Sequence, residues 1–133
     1  MTREEIREKT MQIIFQMDML GEFNYENLSP IDENVKAANK KQAVLTLEII
    51  KNHINEIDEI IKNNIENWSF DRISKTDLAI LRNAVAEIVF EDSIPNGVAI
   101  NEAINLAKKY GDEKSYAFVN SVLGKIEKSK NNA

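Results

Sequence analysis

From Arg3 to Leu20 apolar residues fall at helical intervals, with Ile6, Ile13, Met17 and Leu20 on one stripe and Met11, Phe15 and Met19 on nearly the opposite face. Gly21 supplies the stop. A helix apolar on two sides is wedged between neighbours, so Phe15 reads as core before it reads as a ligand contact. Glu22 to Asn34, with Ser29-Pro30 inside, reads as a connection, followed by a short helix through Val35 to Ala38. From Lys40 onward Leu47, Ile50, Ile54, Ile57 and Ile61 predict one amphipathic helix, or two meeting near Asn52 to Asn55, where the polar tract favours a break.

Ser74 and Asp77 offer N-terminal capping groups for a helix carrying Leu78, Leu81, Val85 and Ile88. Asp92 to Gly97 is a breaker cluster. The helix after it is expected to bury Ile100, Ile104 and Ala107 and to end at Gly111. A last helix from about Glu113 carries Val119, Val122, Leu123 and Ile126, and the polar tail Lys128 to Ala133 is expected to fray.

Composition strengthens the helical reading, because only two prolines and four glycines interrupt 133 residues. The expectation is an all-α fold in a single domain, 1–133. The absence of cysteine removes disulfides, Cys-type zinc sites and thiol nucleophiles. The start MTREEIREK is charged, and no uncharged run approaches the roughly 18 residues of a membrane span, so a cytoplasmic protein without a membrane partner is expected. A net charge of -5 argues against a nucleic-acid partner only as a whole-chain sum. Between Leu106 and Lys130, Lys108, Lys109, Lys114, Lys125, Lys128 and Lys130 face only Asp112, Glu113 and Glu127, so that end is locally basic.

Little in the chain points to catalysis. His53 is the only histidine and has no serine or cysteine at a telling spacing, which favours a surface or interhelical role. Carboxylate pairs such as Glu56 with Glu59 belong to solvated helix faces. No glycine-rich phosphate cradle follows a strand pattern. No catalytic residue, metal or cofactor is assigned, and the chain is read as not an enzyme.

The segment KKYGDEKSYAFVN (Lys108 to Asn120) concentrates three aromatics and three lysines around one glycine. Phe118 lies about 90° from the centre of the last helix's apolar stripe, so it should be at least partly exposed. Tyr110 projects near the same corner. The two rings could simply pack on each other, but exposed rings offer stacking faces for unpaired bases and the adjacent ammonium groups neutralise phosphates.

Trp68 to Val89 (WSFDRISKTDLAILRNAVAEIV), Ile94 to Tyr110 (IPNGVAINEAINLAKKY), Ser115 to Leu123 (SYAFVNSVL) and the first helix's IREKTMQIIFQ resemble the bacterial NusB family of transcription antitermination factors. The resemblance covers nearly the whole chain and is weakest from Glu22 to Lys40. It implies a bundle of about seven helices in two packed subdomains, binding of single-stranded boxA RNA jointly with NusE, a small-subunit ribosomal protein, and entry into the elongation complex with RNA polymerase and other Nus factors, chiefly on ribosomal RNA operons. It places RNA contacts at Arg3, Arg7, Gln12 and Phe15, then at Tyr110, Lys114 and Phe118. It places Asp77 and Arg82 on the NusE face, although capping is an adequate explanation for Asp77.

Two departures matter. Where the family's N-terminal arm is often a run of arginines, here Glu4, Glu5 and Glu8 offset Arg3, Arg7 and Lys9, which predicts weak RNA binding by the isolated chain. Lys114 occupies a position that is acidic in some relatives and should favour phosphate binding. The competing readings are an RNA-binding domain like those fused to ribosomal RNA methyltransferases, and a helical adaptor or homodimer without an RNA role. Helical faces that bind a partner can equally bind a copy of themselves, so a homodimer stays open.

Overall fold

Thr2 starts the first helix by accepting the Glu5 N–H on its hydroxyl at 3.1 Å, and Glu4 and Glu5 place negative charge where the helix dipole is positive. The computed structural model describes residues 2–27, 40–66 and 69–131. Helix α1 spans Arg3–Leu20 and closes on Gly21 at φ 75, where the Gly21 N–H reaches the Asp18 carbonyl and the Glu22 N–H reaches Met17, each at 3.1 Å. That pair of bonds needs a left-handed residue, which glycine supplies without a steric cost.

The two apolar stripes expected on α1 are the edges of one broad face. Buried residues run from Ile13 through Met17, Ile6 and Ile14 to Met11, an arc of roughly 160°. Leu20 and Met19, both 62% exposed, fall outside it, and Phe15 is half-buried at its edge. Helix α1 is therefore covered on one side only.

Helix α2, Lys40–Lys62, breaks at His53 (φ -130, ψ 21), inside the polar tract that suggested two meeting helices. The His53 ring stacks on Phe90 at 4.4 Å and its Nδ1 lies 2.8 Å from Glu56, so the histidine pins a kink. A short 3-10 turn, Tyr25–Asn27, follows α1, and the helix expected at Val35 to Ala38 falls outside the described residues.

Helix α3, Lys75–Val85, starts on Ser74, whose hydroxyl accepts the Asp77 N–H at 3.1 Å. It continues into a π-helical turn, Ala86–Phe90, and is buried without interruption from Asp77 to Ile88. A helix buried all round is a core helix, and α1, α2 and the two helices that follow all pack on it. Helix α4, Asn96–Tyr110, buries Ala99, Ala103, Leu106 and Ala107, while Ile100 and Ile104 are only half-buried. Its seam is thus built from small residues, which pattern reading weighted below isoleucine.

Helix α5, Ser115–Asn131, buries Val119, Val122, Leu123 and Ile126 as expected. It does not fray at Lys128: the helix persists to Asn131, and the Lys130 ammonium donates to the Ile88 carbonyl, a terminal acceptor of the π turn. Among the described residues there are five α-helices, not about seven, and no strand. No helix among them is long and apolar enough to cross a membrane. Buried side chains from all five form one hydrophobic cluster.

Two arginines expected at binding surfaces are buried instead. Arg7, 7% exposed, places Nε 3.0 and 3.3 Å from the Glu87 carboxylate, and its carbonyl accepts from Asn83 at 3.3 Å. Arg82, 4% exposed, forks Asp58 with two bonds of 2.8 Å, lies 3.3 Å from Asp18 and sits 4.8 Å above the Phe23 ring. Arg82 thus makes the two-pronged pairing that suits a buried guanidinium, while Arg7 shares one N–H between the two Glu87 oxygens.

Burial raises the Glu87 pKa and Arg7 opposes that rise. Arg7→Ala should therefore cost about 3–5 kcal/mol of unfolding free energy near neutral pH by stranding a buried carboxylate. A carboxyl with a raised folded pKa is least costly when protonated, so the loss should be smaller at low pH and grow as pH rises through that pKa. Urea denaturation of parent and variant across pH checks this, and a pH-independent loss would show that packing rather than charge is at stake.

Candidate nucleic-acid interface

Helices α4 and α5 meet at Gly111 and Asp112. Gly111 has φ -92, which any residue adopts, so a left-handed cap does not explain it. A Cβ there would lie 2.3 Å from Ser115 Oγ and 2.7 Å from the Ala107 carbonyl. Glycine is required because the next helix begins almost in contact with the last.

Asp112 Oδ1 accepts the N–H groups of Lys114 and Ser115 at 2.9 and 3.1 Å, and Ser115 Oγ accepts the Asp112 N–H at 3.0 Å. This reciprocal cap satisfies donors that a helix start leaves open. It fixes Tyr110 at the end of one helix and Lys114 and Phe118 on the first turns of the next.

One side of the corner joins α1 to α4. Lys109 Nζ lies 2.9 and 2.8 Å from the two Glu8 carboxylate oxygens, and the Tyr110 hydroxyl donates to the same carboxylate. Gln12 Nε2 donates to that hydroxyl at 3.2 Å, and Lys109 sits 5.4 Å from the Tyr110 ring centre. Nearby in sequence, Lys108 lies 5.5 Å from the Tyr116 ring. Hydrogen bonds from Lys109 and then Tyr110 hold the Glu8 carboxyl below its ordinary pKa, and Glu8 raises that of both partners.

The other side is a crevice of about 160 Å³ between α3 and α5, lined by Arg72, Asp77, Lys114, Ser115 and Phe118 among others. Asp77, 9% exposed, accepts on Oδ2 from the Ser115 hydroxyl at 3.2 Å, while its buried Oδ1 has no partner. Burial pushes its pKa up, the hydrogen bonds of Ser115 and Ser74 pull it down, and Asp112 adds to the rise. A buried carboxylate oxygen without a hydrogen bond is costly, and Asp77 carries one beside the crevice.

The expected site residues thus divide. Gln12 and Tyr110 are bonded to each other, and Phe15 is half-buried on the same helix as Gln12. Lys114, Phe118 and Asp77 share the crevice. Arg3 is exposed at the start of α1, beside a separate crevice of about 150 Å³ lined by Ile6, Gln42, Pro95 and Val98 among others. Arg7, 7% exposed, lines that same crevice, and Arg82 is 4% exposed. Sequence reasoning missed Glu8, Lys109 and Arg72 at the site. The pair KK before Tyr110 was visible, but nothing local told that α1 would lie beside it.

The architecture is an all-helical fold with a basic and aromatic corner between its last two helices, beside the first. Residues 4–128 match the model of the NusB family, and the chain belongs to that family. It is 42% identical to the transcription antitermination protein NusB of Finegoldia magna, covering 100% of this chain and 98% of the relative. It is 40% identical to that of Clostridium botulinum strain Kyoto, covering 95% and 99%. The Thermotoga maritima NusB crystal structure superposes with a TM-score of 0.85 at 34% identity, covering 96% of this chain and 92% of that one. A crystal structure of antitermination factors NusB and NusE in complex with double-stranded RNA gives 0.83 at 32% identity, covering 97% and 99%.

The two glycines of this region should respond oppositely to alanine. Gly111→Ala forces Ser115 away and should cost about 1–3 kcal/mol. Gly124, within α5 and with nothing within 4 Å of an added Cβ, should gain about 0.5–1 kcal/mol on Gly124→Ala. Thermal denaturation of the two variants tests the assignment, and equal shifts would contradict it.

Proposed function

We propose that this protein is a transcription antitermination factor that binds boxA-type single-stranded RNA jointly with NusE and so joins the elongation complex with RNA polymerase and other Nus factors, chiefly on ribosomal RNA operons. The observation that carries the reading is the corner itself: Tyr110, Lys114 and Phe118 are gathered around one tight turn in a chain matching the NusB family over 4–128. Rings offer faces to unstacked bases without regard to sequence, and an exposed ammonium neutralises a phosphate. The finer architecture implied by the resemblance, about seven helices in two packed subdomains, stays part of this reading.

The division of labour between RNA and protein partner follows from what the arm has lost. With Arg7 buried against Glu87, Arg3 and Lys9 face Glu4 and Glu5, so the N-terminal helix offers RNA little net positive charge. Added contacts from NusE make up the difference. Asp77 is the residue we assign to that partner, from its place in the lining of the crevice; Arg82 is not assigned, because it is 4% exposed and two of its three nitrogens are bonded to Asp58.

Titration of boxA RNA should give weak binding by the chain alone and stronger binding with NusE, and equal affinities would count against the reading. Phe118→Ala should weaken RNA binding by about 1–3 kcal/mol if one base stacks on the ring. Because Phe118 is only half-buried, its truncation should cost less stability than the roughly 3–5 kcal/mol of a core phenylalanine. Lys114→Ala should weaken binding across RNA sequences and flatten the log-log salt dependence by about 0.7. Unfolding of the Phe118 variant, with normal RNA binding by the Lys114 variant, would reduce the corner to packing.

A further inference from the structure

Glu8 is an acid set against the ammonium of Lys109 and the hydroxyl of Tyr110. Both of its oxygens are engaged by Lys109, at 2.9 and 2.8 Å, and one also by the Tyr110 hydroxyl. Glu8 and Lys109 lie on different helices, 101 positions apart, so the pair is not one of the i,i+4 bridges that support a single helix. The pair is partly exposed, the Lys109 side chain at 59% and that of Glu8 at 25%, and such pairs add only modestly to stability.

A phosphodiester presents to these donors what Glu8 presents: two oxygens sharing one negative charge, able to accept from an ammonium and a phenol together. We propose that Glu8 is an internal stand-in for an RNA backbone phosphate, holding Lys109 and Tyr110 in the unbound protein and lowering RNA affinity because the nucleic acid must displace it. The inference rests on the RNA-binding reading above. Displacement breaks the Lys109–Glu8 pair before Lys109 can meet a phosphate and leaves a carboxylate beside the backbone, and both of these oppose binding. Gln12 remains on the Tyr110 hydroxyl and keeps the ring at the surface when Glu8 lets go.

The test is Glu8→Gln in the full chain, which keeps side-chain length and an acceptor for Tyr110 while removing the charge. Binding is measured over a range of salt to boxA RNA and to an oligouridine of equal length. The variant should bind both RNAs about fivefold more tightly near 0.1 M salt, the worth of one added single-strand phosphate contact there, with a salt slope steeper by about 0.7. In a Lys109→Ala background the same substitution should bring no steepening. Glu8→Ala should act in the same direction as Glu8→Gln, with circular dichroism verifying that both are folded.

Weaker binding by folded Glu8→Gln, or tighter binding with an unchanged slope, would overturn the proposal, the first outcome making Glu8 a positioning residue for Tyr110. Loss of any preference for boxA over oligouridine in parent and variant alike would instead defeat the functional reading, while the gain on oligouridine would still report on Glu8.

Discussion

A helix that carries Asp77, Arg82, Asn83 and Glu87 among Leu78, Ile80, Leu81 and Val85, and is buried along its length, must have each charge matched by its neighbours. Helix α3 and its π turn draw a polar partner from three of the four helices packed on them. Arg7 comes from α1, Asp58 from α2 and the Ser115 hydroxyl from α5, while the Asn83 amide holds the Arg7 carbonyl. These bonds are directional, so they orient helices that apolar packing alone would leave free to slide.

The corner inherits its geometry from the same helix. Ser115 has a single hydroxyl proton and it faces two carboxylates, Asp77 at 3.2 Å and Asp112 at 3.3 Å. The start of α5 is thereby set against the start of α3, and Gly111 is the residue small enough to let α4 end at that spot. Tyr110, Lys114 and Phe118 are surface residues, yet their placement is fixed by contacts that reach the core. A recognition surface built this way loses little entropy on binding, because its backbone is already ordered.

How much was legible in the sequence follows the range of the interactions. Gly21 as a stop, Ser74 as a cap, the break at His53 and the stripe of α5 depend on residues within a few positions of one another, and all four are present. The α4 seam was misjudged because alanine buries too little area to dominate a periodicity, although its small size suits a tightly packed seam. Arg7 and Arg82 read as surface cations because their partners lie 80 and 24 positions away, a distance no spacing rule covers. At the site, the same limit separates Tyr110, Lys114 and Phe118, which local phase locates, from Glu8 and Lys109, which become neighbours only when α1 packs beside α4.

Charge pairing finally bears on how an acidic protein engages a polyanion. Arg7, Arg82, Lys51, Lys75, Lys109 and Lys125 each face a carboxylate within the molecule. Among the described residues Lys114 makes no such pair, and it stands at the crevice beside Phe118. Six of the seventeen lysines and arginines are thus already neutralised, and each such pair lowers the number of counterions that contact with RNA releases. Under the proposed function, discrimination then falls to stacking at the corner and to a second protein that brings its own charge. Weak binding alone and strong binding in company is the behaviour that the proposed function expects of such a surface.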